Sequence, residues 1–182
     1  MVYDKVIRGK FVDMRSITLE DTEFSYNIRA DEKHRDIVGQ LATSVEEQYK
    51  FIEWQMKQPD DYYFVVLNKK GEKIGLTGVY NIDGEMGEVG REVNYGDPMQ
   101  TTEAGILLEE FCRDILHLKK TCCVIYTNNK KNLSNQKKKG NIPLKIINRN
   151  GMECAYYETE IGGMFYKRAK RLLDKIGVEQ SE

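Results

Sequence analysis

The segment 87–140 constrains this 182-residue chain more than any other, because the period of its apolar pattern changes along it. Glu88-Val89-Gly90-Arg91-Glu92-Val93-Asn94-Tyr95 alternates. That predicts a half-buried strand with Val89, Val93 and Tyr95 on one face and Glu88, Glu92 and Asn94 on the other. Gly96-Asp97-Pro98 supplies turn chemistry. Gln100-Thr101-Thr102-Glu103 then opens a helix, with hydroxyls and an acid where free backbone N–H groups need acceptors. Ala104, Leu107, Leu108, Phe111, Ile115 and Leu118 share one face of that helix, with Glu109, Glu110, Arg113 and Asp114 turned away, so one side packs against a sheet. The short apolar run 122–126 predicts another strand. Asn128-Asn129, the polar segment 130–139 and Gly140 follow it.

The flanking segments complete the pattern. Residues 11–15 read as a short strand, and Thr18-Leu19-Glu20-Asp21 as the start of a helix running to about Arg29. Ser44-Val45-Glu46-Glu47 is a cleaner capping box; Val45, Tyr49, Ile52 and Met56 recur at helical spacing until Gln58-Pro59-Asp60 stops the helix. Strands at 62–67 and 73–82 flank the turn 68–72, and Asp83-Gly84 leads into the strand at Gly87, forming an antiparallel meander. Two more strands, 144–148 and 154–160, are joined through Asn148-Arg149-Asn150-Gly151, and Ala169, Leu172, Leu173 and Ile176 mark a closing helix. The order β αα βββ αβα ββ α defines an α/β arrangement with a mixed sheet. A single domain is expected over 1–178, with 179–182 as a tail.

Charge and residue counts exclude several classes of function. The chain has 28 basic and 29 acidic residues, so no global basic field selects nucleic acid or an anionic membrane. The local cluster Lys130, Lys131, Lys137, Lys138 and Lys139 is either a solvated helix face or a positive surface beside a phosphorylated ligand. Cys112, Cys122, Cys123 and Cys154 show no CxxC spacing and read as reduced core residues. His34 and His117 are the only histidines, too few for a histidine-rich metal site, and no metal is expected. No apolar run approaches the ~18 residues of a membrane span, and the expected location is cytoplasmic.

The order of elements resembles the GNAT acetyltransferase superfamily. Residues 7–15, Ile-Arg-Gly-Lys-Phe-Val-Asp-Met-Arg, with Thr18-Leu19-Glu20-Asp21, look like the start of its RimJ/RimL-type branch. The helix from Thr102-Glu103-Ala104 to Leu118 follows the family's helix without a gap. Residues 129–140 follow its Asn-x-x-(Ala/Ser)…Lys-x-Gly pattern, with Asn132 where Ala or Ser usually stands. Within that branch the chain looks similar to amino-sugar N-acetyltransferases of nonulosonic acid biosynthesis. The residues concerned are Ile28-Arg29-Ala30-Asp31, the segment 44–52, Tyr63-Phe64-Val65-Val66 and Glu72-Lys73-Ile74-Gly75. The resemblance implies the GNAT acyl-CoA N-acyltransferase fold, a mixed, mostly antiparallel sheet flanked by helices. It also implies acetyl-CoA as co-substrate and direct acetyl transfer to the primary amine of a nucleotide-linked amino sugar. A protein N-terminus or a polyamine is the alternative acceptor, and a non-catalytic ligand-binding protein is the alternative outside enzymology. Family members often pair through their C-terminal strands, so a homodimer is a possible state.

The same resemblance distributes roles along the chain. Met99, Gln100, Thr101 and Thr102 match the helix start that holds the cofactor pyrophosphate on backbone N–H groups. The family's close-approach glycine is here Met99, Asp97 brings a negative charge, Pro98 removes a donor, and the Thr101 and Thr102 hydroxyls stand in as donors. Val93 and Asn94 match the splayed strand that pairs with the pantetheine arm, and Asn129 and Asn132 are placed to bond the cofactor, although Asn129 equally suits a helix cap. Glu88 matches a general-base position, with a solvent-facing strand glutamate as the alternative and Glu92 as the fallback. The family's tyrosine acid is replaced by Gln136, which leaves Tyr126 as the acid or as a packing residue. Arg29 and Arg35, with His34 and Gln40 beside them, match the acceptor-binding region, where they suit a sugar diphosphate or ordinary surface charge.

Overall fold

The computed structural model describes residues 1–35 and 41–179, so Gln40 lies outside the described residues. Eight strands form one sheet: β1 (Ile7–Arg8), β2 (Val12–Ser16), β3 (Tyr62–Asn68), β4 (Lys73–Asp83), β5 (Met86–Asn94), β6 (Lys120–Tyr126), β7 (Lys145–Arg149) and β8 (Met152–Glu160). Their spatial order is β1-β2-β3-β4-β5-β6-β8-β7. Among the described residues only β5 and β6 run parallel; the other neighbours are antiparallel. The parallel step exists because α3 (Pro98–Asp114) carries the chain back across one face before β6 begins. The sheet is therefore mixed and mostly antiparallel, flanked by helices. β1 escaped the sequence pattern, since two residues are too few to display a period.

Both faces of the central strands are covered, which explains why Tyr62, Tyr63, Phe64, Val65 and Val66 are all buried. Tyr62, Phe64 and Val66 pack with Val12, Met14, Leu107, Leu108 and Phe111 beneath α3. Phe111 meets Tyr3, Tyr62 and Phe64 edge-on, with ring centroids 5.1, 5.2 and 5.0 Å away. On the opposite face Tyr63, Val65, Leu76 and Val93 pack with Ile28 of α1 (Thr22–Ala30) and Ile52 of α2 (Val45–Lys57). Leu133 of α4 (Lys130–Lys138) covers Ile125, Ala155 and Tyr157, while α5 (Met164–Glu179) packs Tyr166, Ala169 and Leu173 against Ile106 of α3. Among the described residues no helix is long and apolar enough to cross a membrane.

Two local expectations are corrected. The strict alternation of β5 fails: Gly78 of β4 pairs with Gly90 and Leu76 with Val93, so one residue of β4 lies opposite two of β5. This bulge is centred on Arg91, whose φ of 56° is left-handed. The extra residue reverses the side-chain faces, so Val89 packs beneath α3 while Val93 packs beneath α1 and α2. The start of α3 is also displaced. Asp97 is the N-cap and Pro98 the first helical residue, whereas Glu103 is turned inward to accept N–H bonds from Lys10, Phe11 and Val12 at 2.6–2.8 Å. Proline needs no N–H partner at that position, and the Asp97 carboxylate satisfies the next two donors.

Candidate active site

The parallel pair opens into a cleft. β5 and β6 pair only at Met86, Gly87 and Glu88, opposite Lys120, Thr121 and Cys122. β5 then continues to Asn94 along β4, and β6 to Tyr126 along β8, so their facing edges have no strand partner beyond Glu88. Backbone N–H and C=O groups on such edges require partners, and an extended ligand with amides of its own supplies them. Val93 is buried on the helical side of this edge, and Asn94 accepts a bond from the Gly96 N–H at 2.6 Å.

Glu88 sits at the apex and is 5% exposed. Its carboxylate accepts bonds from the Tyr80 hydroxyl at 3.1 Å, the Asn81 amide at 3.0 Å, and Arg149 through two nitrogens at 2.5 and 3.1 Å. Burial pushes its pKa up, but the Arg149 hydrogen bond, the Asn81 bond, the Arg149 charge and the Tyr80 bond together hold it below the ordinary glutamate value. Arg149 comes from the edge strand, three strand steps away in the sheet order, at the turn end of the β7–β8 hairpin. That turn is Asn150-Gly151, both left-handed, with φ of 53° and 78°.

A second ion pair lies beside the first. Arg91, placed by the bulge, bonds both oxygens of Asp61 at 2.6 and 2.8 Å. Its guanidinium lies 4.1 Å from the Tyr80 ring centroid and within 5.4 Å of those of Phe51 and Tyr63. Tyr80 therefore joins the two pairs, its ring on one cation and its hydroxyl on the neighbouring anion.

The remaining residues singled out in the sequence fall around this cleft in distinct ways. Tyr126 shares the Glu88 face, since Cys122, Val124 and Tyr126 alternate along β6, and burial pushes its phenol up, keeping it protonated. Asn129 is buried and caps α4, accepting from the Asn132 N–H at 3.1 Å. Gln136 lies on the α4 side of β6, away from Glu88, donating to the Cys123 sulfur at 3.6 Å and accepting from Asn141 at 2.6 Å. Glu92 is exposed. Arg29 lies half-buried in the last turn of α1, and Arg35 is exposed in the segment that follows. His34 bonds the Ile28 carbonyl and stacks 4.9 Å from Tyr95, so that segment touches the end of β5.

The α3 N-terminus offers less than its sequence position suggests. Met99 and Gln100 donate their N–H groups to Asp97 Oδ1 at 2.8 and 2.9 Å, and the Thr101 N–H goes to the Asp97 carbonyl. The Thr101 and Thr102 hydroxyls donate to the Gly96 and Pro98 carbonyls. The unpaired strand edges offer backbone partners to an extended ligand, whereas an anionic group at the α3 N-terminus finds these helix donors already engaged.

Sequence reasoning passed over Asp61, Tyr80, Asn81, Arg91 and Arg149. Left-handed φ at Asn81 and Arg91 was not signalled by residue type, and Arg149 read as one letter of a turn. An apolar hollow of about 430 Å³, lined by Leu133, Ile142, Pro143, Ile146, Ala155 and Tyr157 among others, opens on the opposite face from Glu88 and holds none of this chemistry.

A splayed mixed sheet with a helix entering at the splay and a buried carboxylate at its apex defines an acyltransferase framework. The chain belongs to the GNAT acetyltransferase family: the model of the Acetyltransferase (GNAT) domain matches residues 12–140. It is an N-acetyltransferase with acetyl-CoA as co-substrate. Solved structures share the fold. A GCN5-related N-acetyltransferase from Brucella melitensis is 15% identical with a TM-score of 0.77, covering 94% of this chain and 86% of that one. The apo structure of FdhC, a nucleotide-linked sugar GNAT, is 17% identical with a TM-score of 0.76, covering 93% and 97%. A spermidine N-acetyltransferase from Vibrio cholerae, in complex with CoA and spermine, is 14% identical with a TM-score of 0.71, covering 84% and 97%. No curated protein matches the sequence.

Proposed function

We propose that this protein, a member of the RimJ/RimL-type branch, acetylates the primary amine of an anionic, nucleotide-linked amino sugar. The observation that carries this reading is that both buried carboxylates at the cleft, Glu88 and Asp61, are neutralised by bidentate arginines. A polycation would meet no uncompensated buried anion there, while the Arg149 side chain, 36% exposed, presents a cation suited to a phosphate. The nucleotide-linked sugar enzyme among the structural neighbours supports the reading at the level of fold.

In this reading the cleft edge of β5, including Val93 and Asn94, aligns the thioester arm, and such alignment supplies much of the rate. Met99, Gln100, Thr101 and Thr102, with Asn129 and Asn132 across the cleft, hold the rest of the cofactor once Asp97 turns from the helix end. Glu88 takes the proton of the incoming amine, and Tyr126 protonates the departing sulfur. Arg29 and Arg35 contact the acceptor. Thiol release measured over nucleotide-linked amino sugars, polyamines and peptides tests the proposal. Faster turnover of spermidine or of a peptide N-terminus than of any nucleotide-linked amine sinks it.

A further inference from the structure

The bond from Arg149 to Glu88 creates a difficulty that suggests its own resolution. A carboxylate with its lone pairs engaged by Tyr80, Asn81 and a bidentate arginine is a poor proton acceptor. Two of the three partners are fixed in β4, beside Glu88 itself. Arg149 is different: it is the last residue of β7, is far more exposed than Glu88, and among the described residues carries the only full positive charge in direct contact with the carboxylate. Arg91, the other nearby cation, is committed to Asp61 and the ring cage.

We propose that Arg149 couples acceptor recognition to base activation: a phosphate of the acceptor draws the guanidinium away from Glu88, and the released carboxylate then accepts the amine proton. The inference rests on the anionic acceptor proposed above. Its physical basis is that burial, the largest influence on Glu88, raises its proton affinity and persists when Arg149 leaves, whereas the opposing bond and charge of Arg149 do not. The other groups facing Glu88 stay in place: Tyr80 and Asn81 from β4, Arg91 along β5, and Cys122 from β6, with Tyr156 and Glu158 of β8 beyond it. In the step itself, one N–H proton of the acceptor ammonium passes to a Glu88 oxygen, and the freed nitrogen pair forms the C–N bond to the acetyl carbon. The C–S pair leaves on sulfur, which takes the Tyr126 phenol proton; the second N–H proton of the acceptor replaces it on Tyr126, and Glu88 returns its proton to solvent. A cationic acceptor leaves Arg149 seated, so the same contact discriminates against polyamines.

The test uses the full chain saturated with CoA, with inorganic pyrophosphate as the probe. Carbon-detected NMR should show the Glu88 carboxyl titrating at higher pH when pyrophosphate is bound. In Arg149→Gln the carboxyl should titrate high without the probe and not move with it, and calorimetry should show pyrophosphate binding weakened at least about tenfold. Arg149→Lys, which keeps the charge but not the fork, should fall between the two. An unmoved Glu88 titration in the wild-type protein overturns the proposal without recourse to any variant, and so does equal pyrophosphate affinity in wild type and Arg149→Gln. Loss of binding in Arg149→Gln with a shifted Glu88, but no acetylation of any nucleotide-linked amine, keeps the switch and removes the acceptor reading. Acetylation of such an amine at an unchanged rate in Arg149→Gln does the reverse.

Discussion

Asp61–Arg91 and Glu88–Arg149 are the same chemical pair built twice, a buried carboxylate gripped by an arginine fork, with Tyr80 between them. They differ in what holds the cation. Arg91 is pinned by a strand bulge and stacked against three aromatic rings from α2, β3 and β4, and its side chain is 16% exposed. Arg149 comes from a hairpin end and meets the cleft through its two bonds to Glu88. The first pair knits the sheet to α2; the second, on the reading proposed above, leaves a removable counterion on the base. On that reading the same pair serves structure or function according to how many other contacts the arginine makes.

The largest effect that could break this contrast is on stability. Arg91→Met leaves Asp61 buried without its cation and should cost about 3–5 kcal/mol in urea unfolding, whereas Arg149→Met, with solvent close by, should cost about 1–2 kcal/mol. Equal costs would mean that Arg149 is as structural as Arg91. Next in size, Glu88→Gln should fold and bind CoA, yet release thiol about 100-fold more slowly. Full turnover by that variant would remove Glu88 from the chemistry.

Acid should separate the wild type from the same variant. The folded pKa of Glu88 lies below its unfolded value, so the stability it contributes is complete above the ordinary carboxylate range and is lost as pH falls through the depressed value. Asp21 behaves likewise, because bonds from Arg15, Lys73 and Thr18 overcome a burial that pushes the other way. Glu88→Gln should therefore lose less stability than wild type as pH falls from about 5 through the depressed Glu88 value, while still showing the Asp21 contribution. The smallest effect concerns the helix end. Asp97→Asn preserves an N-cap acceptor but removes the negative charge, and CoA should bind a few-fold tighter by calorimetry. Unchanged affinity would place the diphosphate away from the α3 N-terminus.

Much of this molecule was legible before its coordinates. The N-cap at Ser44, where the side chain accepts from the Glu47 N–H, ends up where its residues place it, although the Glu47 carboxylate closes on Thr43 and not on Ser44. So does the Asn150-Gly151 turn, and the helix whose Leu107, Leu108 and Phe111 face the sheet. Each depends on interactions within a few residues, which propensity and spacing report directly. The alternation of β5 misled because a bulge depends on the partner strand: nothing in Gly90-Arg91-Glu92 says that β4 will supply one residue opposite two. Asp97 took the cap role expected of Glu103, while Glu103 found three N–H donors at the β1–β2 turn, 91–93 residues away in sequence.

The sequence by itself determined the order of the longer strands and helices, since local hydrogen bonding and side-chain periodicity encode it, and its resemblance to the GNAT superfamily pointed to the family and drew attention to Glu88. Only the tertiary structure decided which groups meet that carboxylate. Arg149 is sixty-one residues from Glu88 in the chain and three strands away in the sheet, and they touch because the β7–β8 hairpin end is brought beside the strand whose bulge places Arg91 against Tyr80. Charges joined over such separations owe their pairing to the path of the backbone, and residue spacing along the chain carries no record of it.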